Sequence, residues 1–191
     1  MSDFEFIFTL YSLLLGLSMA EILAGLGRAI ERRAISPTDA SRRLKLGWLT
    51  PLLATFVILD LLSFWSFAWF VREELAVNRY TLLGVTAFAC AYYVAARLVF
   101  PSESNEPDDL DDHFFRVRRV VLGILLALVA VQWAYNLSIP DFLPRVLTAR
   151  SLITTGVLVA LMALAIAARS RKTLAIVMVA LIVRYVVLFI W

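Results

Sequence analysis

Long apolar stretches alternate with short polar ones along the whole chain. A helix that crosses a bilayer needs about 20 mostly apolar residues. Six stretches meet that requirement, at about residues 4–26, 48–71, 80–100, 120–137, 151–168 and 173–191. Their apolar residues are continuous, whereas strands of a transmembrane barrel alternate in polarity over about 10 residues. The pattern predicts an all-α, polytopic transmembrane bundle of six helices, forming a single integral membrane domain over residues 1–191.

The composition supports this interpretation and excludes other classes of protein. Of the 191 residues, 62% are hydrophobic and 17% are charged, whereas a soluble domain has about 45–50% and 25%. A water-soluble globular enzyme and a disordered chain are therefore excluded. The single cysteine, Cys90, rules out a disulfide scaffold. One histidine, His113, cannot supply the paired ligands of a membrane haem, and the chain has no P-loop or HExxH motif. We expect no enzymatic activity and no cofactor.

The distribution of Lys and Arg predicts an orientation. The first, third and fifth predicted loops, with the helix ends beside them, carry 13 of the 18 basic residues, and the even loops carry four. Basic residues accumulate on the cytoplasmic side of membrane proteins. The odd loops are therefore predicted to face the cytoplasm, with an N-out/C-out topology. The chain has 16 Arg against two Lys, with abundant Ala and Leu, which is typical of a GC-rich genome and indicates a bacterial inner membrane.

The first predicted loop is dense enough in positive charge to contact anionic lipid headgroups. Its candidates are Arg32, Arg33, Arg42 and Arg43. The alternative is that these residues only record the topology. No aromatic residues are interleaved with them, so we expect no nucleic-acid partner.

Ionisable residues inside the predicted spans are the strongest candidates for function. Each costs about 2.5–3.5 kcal/mol at the centre of a span. Asp60 and Arg184 lie about 18 Å and 16 Å along their helices from the cytoplasmic end. Their matching depth and opposite charge predict an ion pair. Gln132 lies at a similar depth, and Asn136 follows it one turn later, so we expect these side chains to contribute polar groups beside the pair.

Glu21 is closer to the cytoplasmic end of the first helix. Arg28 lies two turns further along the same face, together with Ser18, and Arg97 ends the third helix at a similar depth. We expect Glu21 to pair with Arg28 or Arg97. Three interpretations stay open for these charges: structural ion pairs that set the helix register, pairing between subunits, or an ion or proton path. The candidates for such a path are Glu21, Asp60, Arg184, Gln132, Asn136 and Ser18.

The third predicted loop contains an acidic cluster, Asp108, Asp109, Asp111 and Asp112. Negative charge is favourable at the start of a helix, where the helix dipole is positive. Carboxylates at this spacing can also bind a divalent cation weakly through oxygen. We favour the helix start and expect no dedicated metal site.

The combined pattern predicts a small ion- or proton-conducting membrane protein. Six short helices form a pore with difficulty alone, so we expect a homo-oligomer in the lipid bilayer. The alternative is a non-conducting scaffold or accessory subunit. It would bind a partner through the basic first loop and the acidic third loop.

Overall fold

The structure of the chain, a computed structural model, describes residues 3–35, 47–70, 78–102, 109–140 and 143–190. Its helices are α1 (Asp3–Ile35), α2 (Leu49–Phe70), α3 (Arg79–Val99), α4 (Leu110–Ser138), α5 (Leu143–Val146), α6 (Ala149–Ala167) and α7 (Arg171–Ile190). No residue in the described ranges forms part of a strand. Six of these helices, all except the four-residue α5, are long and apolar enough to cross a membrane. The predicted all-helical architecture is confirmed at this level.

Two helices are longer than the apolar stretches that predicted them. Helix α1 continues to Ile35, and α4 starts at Leu110 rather than near residue 120. Hydropathy marks where apolar residues end, but a helix continues wherever its backbone hydrogen bonds are satisfied. At the start of α4, Asp109 is the N-cap residue and its side chain accepts a hydrogen bond from the Asp111 amide.

Helix α2 occupies the centre of the bundle. It packs against four helices, α1, α3, α4 and α7. Helix α6, by contrast, packs mainly against two of the long helices, α4 and α7. Its side chains Leu53, Phe56 and Val57 are fully buried. The most extensive pairing is between α1 and α3. There, a Cβ atom added at Gly25 would lie 2.6 Å from ring carbons of Phe100, so this approach requires glycine.

Polar contacts place the beginnings of α2, α4 and α7 together. The ends of α1 and α3 lie beside them, because Arg28, Phe100 and Leu110 line one small cavity. The Leu49 amide donates to Asp111 at 3.1 Å, and the Thr50 hydroxyl donates to the Leu110 carbonyl at 2.7 Å. Arg171 donates to Asp112 at 3.0 Å. We call this the basic end, because the basic helix termini on both sides of the first, third and fifth loops lie there. The opposite end, where α1 and α3 begin and α2 and α4 finish, is called the far end.

Candidate functional site

Asp60 lies near the middle of α2, in the centre of the bundle. The surrounding stretch of α2 is apolar, and the Asp60 residue is only 1% exposed. Each of its carboxylate oxygens accepts one hydrogen bond from a tyrosine hydroxyl. Tyr92 of α3 donates to Oδ2, and Tyr185 of α7 donates to Oδ1. A single carboxylate thus connects three helices.

Aromatic rings enclose this cluster. The ring centroids of Phe56 and Tyr185 are 5.9 Å apart, and those of Phe64 and Tyr92 are 5.7 Å apart in an edge-to-face arrangement. Such geometries are favourable for aromatic pairs. The buried Tyr11 of α1 lies within electrostatic range of Asp60 without a hydrogen bond to it. The carboxylate is therefore surrounded by rings and satisfied by neutral donors.

The predicted ion pair between Asp60 and Arg184 is wrong. Among the described residues, no salt bridge joins these two side chains. Instead, Arg184 Nε donates to the Thr154 carbonyl of α6 at 3.0 Å. The guanidinium carbon lies 4.7 Å from the ring centroid of Tyr185, and one nitrogen, NH1, is buried with no hydrogen-bond partner in the described structure.

The reason for this error is the rotation of side chains around α7. Consecutive residues of a helix point about 100° apart. Tyr185 faces α2 and reaches Asp60, so Arg184 faces α6 and reaches Thr154. Arg184 lies at the level of Asp60, since its neighbour Tyr185 reaches that carboxylate, but position along a helix does not determine which neighbour a side chain meets.

The polar residues of α4 are not part of the Asp60 cluster either. Gln132 lines a cavity nearer the far end. Asn136 is 4% exposed, and its Oδ1 atom has no hydrogen-bond partner in the described part of the chain. The expectation that they sit beside an Asp60–Arg184 pair is therefore wrong, again because shared depth does not imply a shared face. Ser18, fully buried, donates to the Leu14 carbonyl of its own helix at 2.9 Å.

Glu21 forms the ion pairs that the sequence predicts. Its Oε1 atom lies 2.9 Å from Arg97 NH1 and 3.8 Å from Arg28 NH2. The Glu21 side chain is 22% exposed, and those of the two arginines are more exposed still. This carboxylate is therefore at the periphery of the bundle, toward the basic end.

The acidic residues at the start of α4 have structural partners. Asp109 caps its own helix, Asp111 accepts the Leu49 amide, and Asp112 pairs with Arg171. Arg171 also lies within 3.9 Å of oxygens of both Asp109 and Asp111. Within the described ranges, no group of three or more His, Cys, Asp or Glu residues is arranged to hold a metal. The arrangement fits a helix start; Asp108 lies outside the described residues.

A second buried charge, Arg118 of α4, is close to the basic end. The residue is 3% exposed, and its NH2 atom donates to the Ala168 carbonyl at 2.6 Å. Its guanidinium carbon lies 4.6 Å from the ring centroid of Phe115. A carbonyl and a ring face contact this cation, as they do Arg184, while its Nε and NH1 atoms have no hydrogen-bond partner in the described structure.

A cavity of about 240 Å³ lies between the Asp60 cluster and the far end. Residues of α1, α2, α3 and α4 line it. Tyr11 and Phe64 belong both to its lining and to the surroundings of Asp60, so the cavity is adjacent to the cluster.

The partners of Asp60 were missed in the sequence. Tyr92 and Tyr185 are 0% and 4% exposed and lie inside predicted spans. Tyrosine in membrane helices concentrates at the interfaces, with its hydroxyl toward water. A tyrosine deep within a span needs an internal hydrogen-bond partner, and this was the available signal.

No protein-family model matches this chain, and neither a curated protein nor a solved structure matches it.

Proposed function

We propose that this protein is a small proton-conducting membrane protein in which Asp60 binds the transferred proton. The observation that carries the proposal is a buried carboxylate at the centre of six membrane-length helices. It contacts two tyrosine hydroxyls and, among the described residues, no cation. Intramembrane carboxylates recur in proton relays. Glu21, by contrast, is neutralised by the two arginines with which it pairs.

The tyrosines can extend the relay beyond Asp60. A phenolic hydroxyl both donates and accepts a hydrogen bond, so a proton can pass through it without a change in net charge. Tyr92 connects Asp60 to α3, and Tyr185 connects it to α7. Arg184 then influences Asp60 through the Tyr185 ring. Glu21 has no place on this path, because two arginines neutralise it at the periphery.

The setting of this activity follows from the charge distribution. The basic end faces the cytoplasm of a bacterial inner membrane, so both termini face outward. The chain assembles as a homo-oligomer in the lipid bilayer, and each protomer contains its own Asp60 cluster. Arg32 and Arg33, in the last turn of α1, contact anionic headgroups at the basic end. The other two candidates for this contact, Arg42 and Arg43, lie outside the described residues.

The scaffold function is the weaker candidate. It requires an acidic surface that is available to a partner, but Asp109, Asp111 and Asp112 engage Arg171 and the start of α2. These internal contacts leave less of the acidic surface free for docking.

Proton flux into liposomes tests the proposal. Purified protein is reconstituted, a membrane potential is imposed with potassium and valinomycin, and internal pH is followed with a dye. D60N is expected to reduce flux to the level of empty liposomes. The matched control is E21Q, which makes the same chemical change in a carboxylate outside the path and should retain wild-type flux.

Two outcomes contradict the proposal. One is a D60N protein that elutes and unfolds as the wild type does and still conducts at the wild-type rate. The other is a wild-type protein, correctly inserted, that adds nothing to the flux of empty liposomes. The second result, together with a protein that co-purifies stoichiometrically in mild detergent, favours the scaffold function.

A further inference from the structure

The cavity near the far end has the composition of a small-molecule site. Half of its lining residues are aromatic, and these include Phe8, Phe64 and Phe88. Pockets for small apolar molecules are typically lined by hydrophobic and aromatic side chains, with a few polar groups that fix orientation. The cavity is partly open to the surface of the bundle, where its lining residue Tyr80 is exposed.

One of its polar groups lacks a partner. Tyr11 is 6% exposed and lines the cavity. In the described part of the chain, its hydroxyl makes no hydrogen bond, in contrast to the hydroxyls of Tyr92 and Tyr185. Because Tyr11 lines the cavity and its hydroxyl makes no hydrogen bond within the described structure, it can donate one to a molecule bound there.

The size of the cavity limits the ligand that it can hold. An apolar cavity of about 150 Å³ binds benzene. In proportion, a cavity of about 240 Å³ holds roughly ten ring atoms, which corresponds to two fused six-membered rings. Flat rings also suit walls made of aromatic side chains, which pack by stacking and edge-to-face contact.

We infer that this cavity binds a flat, apolar, two-ring molecule with a carbonyl oxygen that accepts a hydrogen bond from Tyr11. Molecules of this class, such as aromatic ketones and quinones, dissolve in the bilayer. They can reach the cavity from the lipid near the far end, between the helices that line it. This binding does not depend on the proposed proton conduction, and no reaction of the ligand is implied.

Tryptophan fluorescence in lipid nanodiscs provides the test. Trp65 and Trp69 lie 5.8 Å and 5.4 Å, between ring centroids, from Phe8 of the cavity wall. The probe is 2,3-dimethyl-1,4-naphthoquinone, which quenches tryptophan. Binding at a site gives saturable quenching, whereas partition into lipid gives quenching proportional to concentration. The comparison ligand is the hydrocarbon 2,3-dimethylnaphthalene, which has the same two fused rings without a hydrogen-bond acceptor. Its affinity is measured from its displacement of the quinone.

The two ligands and the variant Y11F isolate the hydrogen bond. We expect the quinone to bind wild-type protein about 2- to 10-fold more tightly than the hydrocarbon, which is the contribution of one hydrogen bond. Y11F should bind both ligands with the affinity of the hydrocarbon. Because the Tyr11 hydroxyl has no partner within the described structure, its removal should leave the unfolding temperature unchanged.

Two leucine substitutions locate the site. A Cβ atom at Gly84, which lines the cavity, or at Gly156 of α6 would meet nothing within 4 Å. G84L should fill the cavity and abolish saturable quenching, whereas G156L should leave it unchanged. Quenching that does not saturate, or that survives in G84L, overturns the inference. Equal affinities for both ligands that Y11F does not alter would overturn the carbonyl contact and leave a cavity for an apolar occupant such as an acyl chain.

Discussion

Asp60 and Glu21 are both carboxylates inside predicted membrane spans, yet the bundle treats them differently. Glu21 is held by two arginines at the periphery, where its side chain is 22% exposed. Asp60 is 1% exposed at the centre and is held by two neutral hydroxyls. Near the interface, an arginine can pair while its head group stays partly hydrated. In the centre, an ion pair requires the desolvation of two charges. Hydroxyl donors are neutral, so only the charge of the carboxylate is desolvated.

Under the proposed function, ion pairing and proton exchange take place at different positions in this bundle. A neutralised carboxylate at the edge stabilises the contact between α1 and α3. A carboxylate held by hydroxyls at the centre can change its protonation without leaving an unpaired cation behind. If the two carboxylates also differ in energy, substitutions at Asp60 and at Glu21 will change the free energy of unfolding by different amounts.

The largest effect on stability is expected for D60A. Two buried tyrosine hydroxyls lose their acceptor, and an unsatisfied buried group costs about 1–3 kcal/mol each. The free energy of unfolding in detergent should fall by roughly 2–6 kcal/mol. A triple variant, D60L with Y92F and Y185F, removes the polar groups together and should recover much of this loss. If D60A is as stable as the wild type, the cluster is not a structural centre of the bundle.

An intermediate effect is expected for single removal of either hydroxyl. Y92F and Y185F each delete one hydrogen bond to a charged acceptor, worth about 1.5–3 kcal/mol. Both variants should unfold earlier than the wild type in the same denaturation assay. A loss confined to one of them would mean that the two oxygens of Asp60 are not equally engaged.

The smallest effect is expected for E21Q. Its ion pairs are partly exposed, and pairs of this kind contribute about 0–1 kcal/mol. The difference in stability between wild type and E21Q should shrink further as salt is added, because exposed pairs are screened. Stability measured at two ionic strengths tests this, with D60A as the buried comparison whose deficit should not depend on salt. A larger loss for E21Q than for D60A would reverse the contrast.

Much of the architecture and the Glu21 contacts could be predicted from the sequence. The apolar stretches predicted all six long helices, and the spacing from Glu21 to Arg28, with the depth of Arg97, predicted its ion pairs. Both predictions depend on distance along a helix, which rises regularly by about 1.5 Å per residue. The helix start at Asp109 was likewise a local property, because capping involves only adjacent residues.

The surroundings of Asp60 could not be derived in the same manner. Arg184 and Tyr185 are adjacent in sequence and equally deep, and only the rotation of α7 against α2 decides which of them reaches the carboxylate. The same applies to Gln132, which has the right depth but lines the cavity instead.

The sequence by itself determined the six long helices, their charged termini and the position of each ionisable group along its helix, because these follow from composition and from the regular rise of a helix. Only the tertiary structure decided which faces meet: the tyrosines on Asp60, the carbonyl under Arg184 and the cavity beside Tyr11. Apolar helix surfaces are chemically alike on all sides, so the packing of many small contacts, rather than any local signal, sets their rotation.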